Sequence, residues 1–151
     1  MLEVETPADL AAHVGKSLGT GEWLTVTQEM IDTFADATGD HQWIHVDVER
    51  AKREMPGGKT IAHGYLTLSL LPLLGTSIWH IRKRSRGVNY GSNRVRFTNP
   101  VPAGARVRAH QTLKALEPVE GGQRLIMEVS VEIEGESRPA LVAETIVLAF
   151  D

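Results

Sequence analysis

A chain of 151 residues, 42% of them hydrophobic, can bury a core of its own, and having no cysteine excludes a disulfide framework, a thiolate metal site and a thiol nucleophile. The net charge of -3 is unevenly spread, because ten Lys and Arg and no Asp or Glu lie between Glu54 and Glu117. A basic middle suits either an anionic ligand or outward-facing bases paired with acids on neighbouring strands, while few aromatics and acidic flanks argue against nucleic acid.

In chain order, the N-terminus MLEVETPADL carries early acids and no apolar block, so no secretory signal is expected and the protein reads as cytoplasmic. Gly15-Lys16-Ser17 is not a phosphate loop, since Leu10 stands where that motif needs its first glycine. Trp23 to Val26 predicts a short strand. Thr27 is an N-cap, Met30, Ile31, Phe34 and Ala37 mark an amphipathic helix, and Gly39 closes it. A second short helix is expected from Asp47 to Glu54, before Pro56-Gly57-Gly58 breaks the chain.

The stretch Thr60 to Ile81 is the most apolar of the chain and holds no charged residue apart from two histidines. Leu66, Leu70, Leu73 and Leu74 recur at helical spacing with Leu68 and Leu71 between them, so a helix opening near His63 and Gly64 should be apolar almost all round. Gly64, Pro72 and Gly75 interrupt the run, which leaves no block of about 20 apolar residues for a membrane span. Beyond the basic turn at Arg82 to Arg86, the sequence alternates like strand. Val107, Ala109, Gln111 and Leu113 share one face, as do Leu125, Met127, Val129, Val131 and Ile133, and Pro139 to Phe150 is apolar on both faces like a central strand. An antiparallel sheet wrapped round one apolar helix gives an α+β single domain over residues 1–151.

Asp40 and His45 lie just after a helix end and shortly before the apolar helix. A carboxylate and an imidazole side by side can hold a water, take its proton and return a proton to the product, with no metal or redox cofactor. Gly64, at a helix start, offers an amide N–H without an intrahelical partner and no side chain to keep a ligand away, as an oxyanion site requires. His41 and His45 have the spacing of a helical metal pair, but Gln42 stands where a zinc protease motif needs Glu, so no metal is expected there. Ser69 and Thr67 are expected to bond back to the preceding turn, and Tyr65 and Trp79 to pack.

The stretch Phe34-Ala-Asp-Ala-Thr-Gly-Asp-His-Gln-Trp-Ile-His45 resembles the signature of the MaoC-like dehydratases and (R)-specific 2-enoyl-CoA hydratases. Ile61-Ala-His-Gly-Tyr-Leu66 resembles the start of their central helix, and Asn89 to Phe97 a strand common in one branch; together these span about Thr27 to Gly104. The resemblance implies a hotdog fold, a curved antiparallel sheet around a long central helix, and a homodimer. It also implies that Asp40 and His45 activate a water, that the Gly64 amide binds a thioester carbonyl, and that the substrate is an acyl-CoA, the CoA being carrier and not cofactor. The reaction implied is the addition of water to a trans-2-enoyl-CoA, giving an (R)-3-hydroxyacyl-CoA. Where the family usually has Asn-Pro this chain has Gln42-Trp43; Gln42 keeps a hydrogen-bonding amide, and Trp43 is expected to narrow or line the acyl site. A thioesterase of the same fold and a non-catalytic acyl-CoA-binding protein are the alternatives. The first commonly needs a carboxylate on or near the central helix, and none lies between Glu54 and Glu117.

Overall fold

The computed structural model describes residues 1–151. Helix α1, Gln28–Thr38, begins where the Thr27 hydroxyl accepts from the Met30 amide at 3.2 Å, and ends where Gly39, at φ 82°, donates its N–H to Ala35 O. A single turn, α2 (Trp43–Val46), and α3 (Val48–Glu54) follow, the latter capped by the Asp47 carboxylate on the Arg50 amide. These three helices form an arm laid over the entrance to the central segment.

The central segment is helical in two pieces, α4 (Gly64–Ser69) and α5 (Leu71–Gly75), so the single long helix expected from the leucine spacing is divided. Pro72 has no N–H to give to Leu68 O, and the Leu70 amide is shared between Leu66 O and Thr67 O as the turn tightens. Leu66, Leu70, Leu71 and Leu74 are buried, but Tyr65 is 68% and Leu73 53% exposed, so the segment has one open flank.

Eight strands complete the fold: β1 (Leu2–Val4), β2 (Ser17–Thr20), β3 (Leu24–Thr25), β4 (Trp79–Ile81), β5 (Arg86–Phe97), β6 (Arg106–Val119), β7 (Gly122–Ile133) and β8 (Leu141–Phe150). The main sheet runs β2-β6-β7-β8-β5, with β3 also on β6, and all its pairings are antiparallel. The connections β6 to β7 and β7 to β8 make the expected meander, and β8 lies between β7 and β5, which explains its two apolar faces. A parallel pair, β1 with β4, fastens the N-terminus to the far end of the central segment.

The inward faces match the alternation. Val107, Ala109 and Leu113 of β6 and Leu125, Met127, Val129, Val131 and Ile133 of β7 are buried against Leu66, Leu71, Leu74 and Ile78. At about 25 cal/mol per Å² of apolar surface, each large side chain of this layer contributes about 1.5 to 3 kcal/mol of burial. On the outer face, bases meet acids across the sheet: Arg108 donates to Glu132 at 2.6 Å, Lys114 reaches over β7 to Glu144 at 2.6 Å, and Arg106 pairs with Glu134. Three of the ten bases in the middle of the sequence are therefore paired on a solvated sheet face. Arg82 and Lys83 likewise meet Glu3 and Glu5. The architecture is the hotdog arrangement, a single mixed α and β domain. No helix is long and apolar enough to cross a membrane.

Candidate active site

Asp40 and His45 come together because a helix end and a one-turn helix bend the chain back over the entrance to α4. The Asp40 carboxylate accepts from the Gln42 amide at 3.3 Å in a local turn, and the residue is exposed. His45 is buried at 7% exposure, with its Nδ1 2.7 Å from the carbonyl oxygen of Ile61. A carbonyl only accepts, so Nδ1 carries the hydrogen, and Nε2 makes no hydrogen bond within the protein.

His63, one residue before Gly64 and 3% exposed, completes the group. Its ring stacks on that of His45 with centroids 3.9 Å apart, leans on Phe34 at 4.9 Å, and donates Nε2–H to the backbone oxygen of Asp40 at 2.9 Å. Its Nδ1 is buried with no hydrogen-bond partner. The side-chain donor atoms of Asp40, His45 and His63 all lie within 4.8 Å of one another. Three donors at that spacing are also what a divalent ion uses, although one nitrogen of each ring is already committed to a backbone oxygen.

A further layer fixes α2. Gln28, the first residue of α1, donates its amide to His45 O at 2.8 Å and accepts from the Thr60 hydroxyl, while the Ile61 amide donates to Ile44 O at 3.0 Å. His45 is thus held through its ring and its carbonyl. Gly64 opens α4 with an amide that makes no backbone hydrogen bond, and a Cβ placed there would lie 2.8 Å from the Phe97 ring. Glycine is required by that close approach as well as by access to the amide.

Other expectations resolve as follows. His41 faces away and bonds Asp36 at 2.9 Å, which raises its pKa above the ordinary 6.5 and keeps it out of the group. Ser69 bonds back to Tyr65 O at 2.7 Å, as expected. The Arg50 guanidinium covers the ring of Trp43 at 4.0 Å. Tyr65 is not packed inside but meets Phe97 edge-on at the surface, and Trp79 is hydrogen-bonded through its indole N–H. A cleft of about 690 Å³ does not contain Asp40 or His45. It starts at Leu68 and Ser69, one turn beyond Gly64, and follows the open flank of the central segment toward Trp79 between that segment and β5, β7 and β8.

A family described as the MaoC like domain matches residues 9–137. The chain belongs to the MaoC-like domain family. As a MaoC-like chain it is a hydratase or dehydratase of that type, an enzyme of the hydro-lyase class. It is 49% identical over 148 residues to a 3-hydroxyacyl-thioester dehydratase Z of Mycobacterium tuberculosis, covering 97% of each chain. It is 51% identical over 148 residues to a nodulation protein N of Rhizobium leguminosarum bv. viciae, covering 95% of this chain and 91% of that one. Its fold is that of an R-hydratase from Pseudomonas aeruginosa, at a TM-score of 0.73 and 20% identity over 91% of this chain and 82% of the other. Within this MaoC-like site, sequence reasoning marked Asp40, His45 and Gly64 and named His63 only as the place where the helix opens. It missed Gln28, whose only signal is its place at the start of α1, because its partners lie 17 and 32 residues away.

Proposed function

We propose that the protein is an (R)-specific enoyl-CoA hydratase, adding water reversibly and on one face across a trans-2-enoyl-CoA to give an (R)-3-hydroxyacyl-CoA. The observation that carries this reading is the clustering of the Asp40 carboxylate with ring nitrogens of His45 and His63, all within 4.8 Å of one another, next in sequence to the Gly64 amide, which makes no backbone hydrogen bond. The thioester oxygen sits on that amide, which polarises the conjugated double bond and leaves C3 electrophilic. Asp40 and His45 hold one water by its two hydrogens. As the water oxygen bonds to C3, the pair takes up one proton and the C2–C3 π electrons move onto the thioester oxygen as an enolate. When the enolate collapses, the pair returns one proton to C2 on the same face, so water is added and the pair is restored. The two groups act as a unit in this scheme, sharing one proton per turnover. Neither a metal nor a redox cofactor takes part. The cleft along α4 and α5 receives the acyl chain.

A second copy of the chain completes the molecule. β5 ends the sheet with its outer edge unpaired over twelve residues, and Val88, Tyr90 and Phe97 are exposed along it beside the exposed Tyr65. An edge of that length and apolarity is a pairing site, and the homodimer reading places the partner's β5 against it.

The test is hydration of crotonyl-CoA followed by loss of the enoyl thioester absorbance, with and without EDTA, for wild type, Asp40→Asn and His45→Gln. Turnover unaffected by EDTA, a product of R configuration and a fall of about 10²-fold or more in each variant are expected for a paired acid and base. A folded wild-type protein that hydrates no enoyl-CoA would overturn the reading.

A further inference from the structure

The floor of the cleft holds a polar group whose hydrogen-bonding is half complete. Gln111 stands on the inward face of β6 among Val107, Ala109 and Leu113, and is only 8% exposed. A buried amide left without partners costs about 1 to 3 kcal/mol, so its bonds define what the site is built for. Its Oε1 accepts from the Trp79 indole at 2.7 Å. An indole N–H can only donate, which fixes the orientation of the amide and turns its NH2 group the other way. That NH2 makes no hydrogen bond within the protein and, not being among its fully enclosed polar atoms, is open to the cleft. It faces Gly75, where a Cβ would lie 3.2 Å from Nε2, so the missing side chain keeps the space over the amide clear.

Gly75, Trp79 and Gln111 all line the cleft, and Thr76, Asn89 and Thr145 add further polar groups to its walls. A volume of about 690 Å³ is that of a small-molecule site. Gly75 lies eleven residues beyond Gly64, about 16 Å at 1.5 Å per residue and somewhat less across the break at Leu70. A plain hydrocarbon tail reaching this depth would cover the NH2 group and leave it unpaired.

We propose that Gln111, oriented by Trp79, is a specificity-determining residue that donates a hydrogen bond to an oxygen carried far along the acyl chain, so that the substrate class is an oxygen-bearing acyl thioester in preference to a simple fatty acyl one. The inference rests on the hydratase reading for the direction of the acyl chain. A site whose buried donor needs an acceptor selects against ligands that lack one.

The test uses trans-2-dodecenoyl-CoA and its 9-, 10- and 11-oxo counterparts as substrates, and dodecanoyl-CoA with the matching saturated oxo thioesters as ligands in calorimetry. Wild type, Gln111→Leu and Trp79→Phe are compared, and the readout is the ratio of oxo to plain chain in kcat/KM and in Kd, which a general loss of packing would not move. The expected result is a ratio of about 10 or more for one oxo position in wild type, equivalent to about 1.4 kcal/mol, falling to 1 or below in Gln111→Leu and intermediate in Trp79→Phe. A wild-type ratio near 1 at every position overturns the proposal, as does a ratio that survives both substitutions. If Gln111→Leu does not fold, Trp79→Phe decides. Crotonyl-CoA separates the two readings: its hydration without an oxo preference sinks only this proposal. If no thioester is hydrated the hydratase reading fails, and the calorimetric ratio alone decides the role of Gln111.

Discussion

Substituting Gly64 by alanine tests whether the entrance to α4 is a working part of the site. The new Cβ would lie 2.8 Å from Cγ and Cδ2 of Phe97 and 3.0 Å from its Cε2, whereas carbon atoms rest at about 3.5 to 4.0 Å. Relief therefore needs a movement of about 1 Å, and only two elements can supply it. If Phe97, which is half exposed, swings outward, it loses its edge contact with Tyr65, worth about 0.5 to 1.5 kcal/mol, and catalysis is spared. If the helix entrance retreats, the Gly64 amide leaves the position of the developing enolate oxygen. A misplacement of that size costs about 10²-fold, or about 2.7 kcal/mol of transition-state stabilisation. The ring is held on a long strand whose backbone pairs at this point with Leu141, so the six-residue helix is the softer partner. The expected outcome is a fall of about 10²-fold in kcat/KM for crotonyl-CoA, with a stability loss of about 1 to 3 kcal/mol from overpacking. Adding Phe97→Ala should return about tenfold of the activity by opening the space. A folded Gly64→Ala protein with wild-type kcat/KM, or a double variant with no recovery, would refute the argument.

Three further outcomes are expected. His63→Ala unpins the Asp40 backbone oxygen and removes the ring stacked on His45, so kcat should fall about tenfold or more with little change in KM, and His63→Asn should recover part of it. Hydrogen bonds from Arg108 and then His110 hold the Glu132 carboxyl below its ordinary 4.5. The stabilisation is complete above about pH 4.5 and is lost as the pH falls through the lower folded value, so Glu132→Gln should flatten the loss of Tm between about pH 5 and pH 3. Light scattering should give twice the chain mass for wild type and one chain mass for a Val88→Lys, Tyr90→Lys variant; an unchanged dimer in that variant would place the interface elsewhere.

What the sequence discloses depends on how local the physical cause is. The caps at Thr27 and Gly39 and the alternation of β6 and β7 act within a few residues, and each appears where the pattern predicts it, while Asp47, expected as the first residue of α3, is its cap. Asp40, His45 and Gly64 are marked by their motifs, and the geometry brings the first two together through a turn that the intervening residues specify. The division of the central helix follows from Pro72, yet the leucine spacing on both sides of it reads as continuous. β1 and β4 are three residues each, too short for any periodicity, and their pairing spans the N-terminus and residues near position 80. Gln28 and the Trp79–Gln111 bond act through side chains over 17 to 32 residues, with no trace in a local window.

The arm of α1 to α3 meets the entrance of α4 chiefly through four contacts: Gln28 with Thr60, Ile61 with Ile44, His45 with Ile61, and His63 with Asp40. Asp40 and His45 lie on one side of that seam and Gly64 on the other. The proposed catalytic group therefore exists only while the seam is shut, and its integrity is set by these few bonds together with the packing of Ile31 and Phe34 of α1 against the core. Opening of such a unit takes less free energy than global unfolding. Activity should accordingly vanish at a lower urea concentration than the sheet signal, and the Ile61 amide should exchange its hydrogen sooner than those of β7. The enzyme would then be silenced, and rescued, without the sheet ever coming apart.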